Sequence, residues 1–266
     1  REIDGHGGIP TRNPEELLDV FTLLTWAARA LIESDHPVGP AHAAAMERIA
    51  PCLRALRHAD GGLARFHGGG RGAEGRLDQA LAVSGARVTL PPPVAMGFAR
   101  LADGRTTVIV DAAPPPTGRA SRAAHASTLA FELTSGRRPL IVSCGSGISL
   151  GAAWRQAGRA TASHSTLGLE GFSSARLAES GDQFVQVPAV PVMRRTSTGE
   201  DTMFLAAHTG WTATHGLAHV RDLVLSGDGR RLTGTDTLTV NTTAARRRFE
   251  SVLTKGNLQG IGFSIR

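Results

Sequence analysis

The sequence predicts an α+β chain of two parts, with helices first and an antiparallel β-sandwich after them. Apolar residues recur at helical spacing as far as about residue 58. From about Arg87 the texture changes to short alternating runs. Tight turns such as Ser226-Gly227-Asp228-Gly229 join those runs, and many short strands with such turns imply two packed sheets. A chain of 266 residues can form one large domain or two of ordinary size. The division is expected near residue 85, with residues 1–85 helical and 86–266 forming the sandwich.

The first helix is predicted from Pro14 to about Glu33. Asn13 is a good N-cap, Pro14 suits the first helical position, and Glu15 and Glu16 suit the first turn. Leu17, Leu18, Phe21, Leu24, Ala28 and Leu31 then mark one face. A break at Pro37 to Pro40 separates it from a second helix, Pro40 to about His58, with Met46, Ile49, Leu53 and Leu56 inward. Such an αα-hairpin cannot bury both faces alone and wants neighbours. The stretch Gly61 to Gly70 is too glycine-rich for a helix and reads as a short extended segment and a flexible connector; no Gly-Lys-Ser/Thr follows to make it a phosphate cradle. A short helix is expected within Gly72 to Ser84.

In the β region, Val94 to Leu101 and Thr106 to Asp111 read as strands joined through Ala102-Asp103-Gly104. Pro114 to Ser121 is a loop. Leu129 to Leu133 and Pro139 to Val142 form a hairpin around Ser135-Gly136, and the alternation Ser163 to Leu169 suggests another strand. Further strands are expected near Gln183 to Met193, Thr202 to His208, Ala218 to Leu225 and Arg231 to Val240, the last two as a hairpin. Asn241 to Gly260 is polar and basic, a loop, and Ile261 to Ile265 reads as a final strand. Starting at Arg1 and ending on a strand, the sequence is expected to be a fragment cut at both ends.

The formal charge is +6, and Lys255 is the only lysine, so the basic side is almost all arginine. Arginine forks suit carboxylate and sulfate oxygens; a genome that prefers arginine codons explains the bias equally well. Aromatics are sparse and no nucleic-acid motif is present, so an anionic sugar polymer is a better-supported partner than nucleic acid. Cys52 and Cys144 lie in unrelated contexts and match neither a disulfide framework nor a zinc ribbon. No apolar run approaches the roughly 20 residues of a membrane span, and no signal peptide is visible. Cys144-Gly145-Ser146-Gly147 fails the nucleophile-elbow pattern, and Gly145, Gly147 and Gly151 miss the dinucleotide spacing.

Two histidines, His125 and His164, head the most distinctive stretch. The order His-Ala-x-x-Leu-x-Phe-Glu-Leu from His125, Arg-Pro-Leu-Ile-Val-x-x-Gly from Arg138, Trp154-Arg155, and Arg159-x-x-x-x-His164-x-Thr166 resembles the C-terminal β-sandwich of heparinase II/III-type polysaccharide lyases. Those enzymes carry a related H-A-D, V-D-P-G and H-N-T series. The resemblance implies that the helices are the end of an incomplete (α/α) toroid. It further implies a lyase that cleaves uronate-containing polysaccharide by β-elimination, by analogy in the periplasm. Such chemistry neutralises the uronate carboxylate, removes the C5 proton and protonates the leaving O4 oxygen.

Carried onto this sequence, the match is partial. His125 and His164 fall on the two histidines, while Ser127 and Ser143 replace the two acids. The resemblance implies a supporting zinc, which His125, Cys144 and His164 would hold; a buried, inert Cys144 and no metal is the alternative. Arg12-Asn13-Pro14-Glu15-Glu16-Leu17 resembles the family's R-S-P-x-Y segment, and Glu16 or Leu17 stands near the tyrosine that usually serves as acid. The chain has no tyrosine at all. Either His6 or Glu16 replaces it, or catalysis is lost. His208-Thr209-Gly210-Trp211 resembles H-D-G-Y, which makes His208 a catalytic candidate and Trp211 either a sugar-stacking residue or a core residue. Arg159 is expected to hold a carboxylate or sulfate, or to be a solvated turn arginine. The rival to a lyase is a non-catalytic saccharide-binding or structural protein on the same scaffold.

Overall fold

The computed structural model describes residues 2–87, 89–240, 243, 247 and 262–265. Helix α1 occupies Pro14–Glu33, and the Asn13 side chain accepts the free N–H groups of Glu15 and Glu16 at its start. Leu17, Leu18 and Phe21 are fully enclosed between α1 and its neighbours α2, Pro40–Ala55, and α3, Arg76–Ser84. Cys52 lies in this core, where burial, then the nearby Asp4, pushes its thiol up to about 12. Helix α2 stops short of His58, whose imidazole Nε2 instead meets Glu132 Oε2 at 3.0 Å.

The glycine-rich stretch after α2 is not the flexible connector expected from its composition. Leu63, Phe66 and His67 are buried, and the backbone N–H groups of His67 and Gly68 point at the His125 ring at 3.2 and 3.0 Å. Gly68, at φ 89°, lets the chain pass so close to Ala123 that a Cβ would sit 2.6 Å from its methyl carbon.

Five antiparallel strands follow in spatial as well as chain order: β1 Val94–Ala95, β2 Phe98–Asp103, β3 Thr106–Asp111, β4 Phe131–Ser135 and β5 Arg138–Ile141. The single strand expected from Val94 to Leu101 is broken at Met96 and Gly97, which have φ 49° and 76°. Met96 and Gly97 form the turn between the paired β1 and β2, and the carbonyls of both accept the Arg12 guanidinium while that of Gly97 also accepts the Ala112 N–H at 3.0 Å. After a two-stranded pair, β6 Arg176–Leu177 and β7 Phe184–Gln186, comes a second five-stranded sheet. It comprises β8 Val192–Thr198, β9 Asp201–Trp211, β10 Leu217–Ser226, β11 Leu232–Val240 and β12 Gly262–Ile265, ordered β12-β11-β10-β9-β8. Short helices α4, Ala152–Gly158, and α5, Thr212–His215, lie in the connections.

The strand expected over Ser163 to Leu169 does not form. Thr161–Ser163 make a single 3₁₀ turn, and the backbone beyond it serves side chains rather than a neighbouring strand. Ser165 gives its carbonyl to Arg221, and the Thr166 hydroxyl reaches the Thr128 carbonyl. The loop expected over 241–260 lies, apart from isolated positions, outside the described residues.

Strand β3 explains the layering. Val108 and Val110 pack with Phe204, Leu223 and Leu225 of the second sheet, while Ile109 packs with Phe66, Phe98 and the helices. The first sheet is therefore the middle layer, with helices on one face and the second sheet on the other, so the α+β class with an antiparallel sandwich stands. No described helix is long and apolar enough to cross a membrane.

Candidate functional site

Two buried polar clusters flank the middle layer. The first is built where β3 ends at Asp111. Leu129, at φ 65°, reverses the chain ahead of β4, which sets the Ser127 hydroxyl to donate to Asp111 Oδ2 at 2.6 Å. Arg12 donates to Asp111 Oδ1 at 2.5 Å, and His67 Nε2 stands 3.4 Å from Oδ2, an electrostatic contact rather than a hydrogen bond. Burial alone would raise the Asp111 carboxyl; Arg12, then His67 and Ser127, outweigh it and hold it well below the usual range. The His125 ring stacks on His164 at 4.7 Å with an interplanar angle of 25°. His164 Nδ1 pairs with the Ser143 hydroxyl at 2.7 Å.

Burial lowers all three imidazoles. His125 drops well below its ordinary value, with His164 and His67 adding to the effect, and His164 falls to about 4. For His67 the Asp111 carboxylate opposes the drop without cancelling it. These rings are neutral at neutral pH, and among the described residues Nε2 of both His67 and His164 has no hydrogen-bond partner.

His125 and His164 do meet, as their motif positions suggested, but their parallel rings face one another instead of aiming lone pairs at one point. The His125 nitrogens already face two backbone N–H groups, and Cys144 is exposed, tied through its backbone N–H to Ser163. Among the described residues no set of three or more His, Cys, Asp or Glu converges to hold a metal. The geometry of His125, Cys144 and His164 does not fit a zinc set.

The second cluster spans three strands of the second sheet. Register places His219 of β10 opposite His208 of β9, and Arg221 of β10 opposite Asp236 of β11. Arg221 grips Asp236 with both prongs, Nε to Oδ1 at 2.7 Å and Nη2 to Oδ2 at 2.6 Å, and its Nη1 donates to the Leu129 and Ser165 carbonyls. The Gly210 N–H points at His208 Nδ1 at 3.0 Å, so the His208 proton sits on Nε2 and is shared with His219 Nδ1 at 3.1 Å. His219 Nε2 then donates to Asp236 at 2.7 Å. Burial, then His219 and Arg221, push His208 down to about 3; Asp236 is brought down to about 2 by His219 and Arg221 against burial.

The other named residues separate by exposure. Trp211 is fully enclosed with its ring 4.9 Å from His208, so it presents no face to a sugar. Arg159 is equally enclosed and spends its guanidinium on the carbonyls of Ala124, Ser121 and Gly181 at 2.9, 2.7 and 2.6 Å, not on solvent. His6 and Glu16 are exposed, and neither side chain makes a hydrogen bond or ion pair among the described residues. Beside Arg159 opens a hollow of about 470 Å³ lined by Gln156, Phe172, Arg176 and Gln186. Phe172 is half exposed, with His215 edge-on to its ring at 4.6 Å.

His67, Asp111 and Asp236 were missed as site residues. His67 is hidden among glycines, and the two aspartates occupy strands whose apolar pattern said nothing of charge. The one available signal was an acid inside an otherwise buried run, Val108 to Asp111.

The model of the heparinase II/III-like C-terminal family matches residues 89–261. FtsZ-localized protein C of Caulobacter vibrioides (strain NA1000 / CB15N) is 32% identical over 245 residues, 88% of this chain and 41% of that protein. The heparan sulfate lyase HepC from Pedobacter heparinus superposes with a TM-score of 0.60 at 16% identity, over 88% of this chain and 39% of that one. A heparinase III, the BT4657 gene product, gives a TM-score of 0.65 at 13% identity, over 90% and 39%. At such identities the two solved structures show the fold alone. The chain spans about two fifths of the length of each of these three proteins.

Proposed function

The chain belongs to the heparinase II/III-like family, and from that premise we propose that it is a binding module, a lyase-type scaffold that holds an acidic, uronate-containing polysaccharide without cleaving it. The observation that carries the reading is the enclosure of His208 and Arg159, two of the groups that the family resemblance suggests for elimination, although His6 and Glu16 are exposed. His208 is locked in a hydrogen-bonded chain to His219 and Asp236, Arg159 is consumed by carbonyls, and the sequence has no tyrosine. A general acid or base must come within hydrogen-bond reach of the proton it moves. Binding needs less. The hollow beside Phe172 combines a half-exposed aromatic ring with amide and guanidinium donors, the mixture that suits a sugar ring and its hydroxyls or carboxylate.

The test uses heparan sulfate and hyaluronan, followed by calorimetry for binding and by the ultraviolet absorbance of unsaturated uronate for cleavage. Saturable binding with no rise in absorbance is expected, and Phe172→Ala should weaken it roughly three- to tenfold while leaving the unfolding temperature unchanged. A rise in absorbance would overturn the reading in favour of a lyase, with His6 and Glu16 as the exposed groups to examine as acid. Absence of binding to either polymer would sink it outright.

A second reading concerns location. The relative with the greater sequence likeness is named for localising with FtsZ, whereas the heparan sulfate lyase and the heparinase III share only the fold. This supports a role at the division site, compatible with polysaccharide binding. A fluorescent fusion that stays diffuse while FtsZ is assembled at midcell would count against it.

A further inference from the structure

Three hairpin turns at one end of the sandwich gather five arginines. Arg105 lies in the β2–β3 turn, Arg137 and Arg138 at the β4–β5 turn, and Arg230 and Arg231 at the β10–β11 turn. The turns are fastened to one another through backbone groups and one hydroxyl. The Gly136 N–H donates to the Arg105 carbonyl at 2.7 Å, and the Thr106 hydroxyl donates to the Gly229 carbonyl at 2.5 Å. A side chain at Gly104 would run into the Asp228 carbonyl, and one at Gly229 into the Asp103 carbonyl. The five arginines therefore stand on a rigid platform.

All five are exposed, and none of their guanidinium groups has a hydrogen bond or ion pair among the described residues. Arg12, Arg57, Arg76 and Arg221, by contrast, are paired with carboxylates. Arg105, Arg230 and Arg231 line a hollow of about 370 Å³ together with Leu133, Leu140 and Leu232. An adjoining hollow adds Arg137. Among the described residues the acids that line the two are Asp103 and Asp228, and each already accepts a hydroxyl, from Thr202 and Ser226. Glu200 and Asp201 flank the cluster only from the next turn, beside Gly227.

We propose that this three-turn arginine cluster is a second contact for the polysaccharide, taking its sulfate or carboxylate groups at a surface that shares no lining residue with the hollow beside Phe172. The inference rests on the polysaccharide-binding reading. Guanidinium forks match the paired oxygens of these groups, and a pre-ordered platform loses little freedom on binding. Among the described residues no aromatic side chain lines either hollow, so they supply none of the stacking platform on which single-stranded nucleic acid depends.

Heparin, sulfated, and hyaluronan, with carboxylates alone, serve as probes in calorimetry of the whole chain at two salt concentrations. Arg105→Ser/Arg230→Ser/Arg231→Ser should bind heparin roughly tenfold more weakly, about 1.4 kcal/mol, with a shallower salt dependence and an unchanged unfolding temperature. The matching triple lysine variant keeps the charge, so it should keep the salt dependence while failing to regain full affinity. If the serine variant binds like the wild type while Phe172→Ala is weakened, the cluster proposal falls and the hollow remains. If the wild type binds neither polymer, the polysaccharide reading falls and the cluster with it. Tighter binding to duplex DNA than to heparin would overturn the assignment to a sugar polymer.

Discussion

Replacing Arg12 by methionine tests whether one buried charge pair locks the helical segment to the first sheet. From just before α1, Arg12 donates to the carbonyls of Met96, Gly97 and Pro114 at 2.9, 3.0 and 2.7 Å, and to Asp111 at 2.5 Å. Asp111 is fully enclosed, and among the described residues Ser127 would remain its only hydrogen-bond donor. Methionine fills much of the same volume but leaves a buried carboxylate with a single neutral donor. Removing one partner of a buried pair costs about 3–5 kcal/mol, a large share of the roughly 5–15 kcal/mol by which domains are stable. Adding Asp111→Asn removes the stranded charge and should restore at least about 1 kcal/mol. Urea unfolding at neutral pH, followed by tryptophan fluorescence, measures both. A loss below about 1 kcal/mol in the single variant, or a double variant no more stable than the single, would refute the reasoning.

His164 and His208 are pushed down to about 4 and about 3, mainly by burial, while an unfolded histidine titrates near 6.5. Between those values the unfolded chain binds more protons, so stability is complete above about 6.5 and is lost as pH falls toward 4; imidazole NMR signals that showed protonation of either ring above pH 5 would contradict this. Asp236 works in the carboxylate sense: held down to about 2, it contributes stability present above 3.8 and lost as pH falls through about 2, and Asp236→Asn should remove that step from an acid titration. Gly229→Ala, at φ 66° with the Asp103 carbonyl in its way, should lower the unfolding temperature more than Gly118→Ala, at φ 59° in open space. Equal losses would mean that the contact between the turns is not tight.

Much of the architecture could be read from periodicity and turn chemistry. Helix α1 starts at the cap that Asn13-Pro14 announces, and the hairpins at Gly104, Gly136 and Ser226 to Gly229 form where glycine permits the reversal. Two of the failures involve arginines distant in sequence. At Met96-Gly97 and at Ser163 to Leu169 the backbone answers arginines far away in sequence, Arg12 and Arg221, and no local pattern reports them. The site was partly legible: motif order brought His125 and His164 together, and His208 near the strand bearing His219 and Arg221. It could not report that Arg159 and Trp211 turn inward, because side-chain direction there depends on the carbonyls and rings of other segments.

The two cysteines have opposite chemical fates. Cys52, enclosed beneath the helices with its thiol pushed up to about 12, offers no thiolate to a reagent, whereas Cys144 stands in solvent one residue from Ser143, which holds His164. A maleimide dye or nitroxide would therefore mark a single known position on the unaltered sequence. The segment whose Ser143 pairs with His164 thus carries a ready attachment point for a spectroscopic label, which would register movement there when a polymer is added.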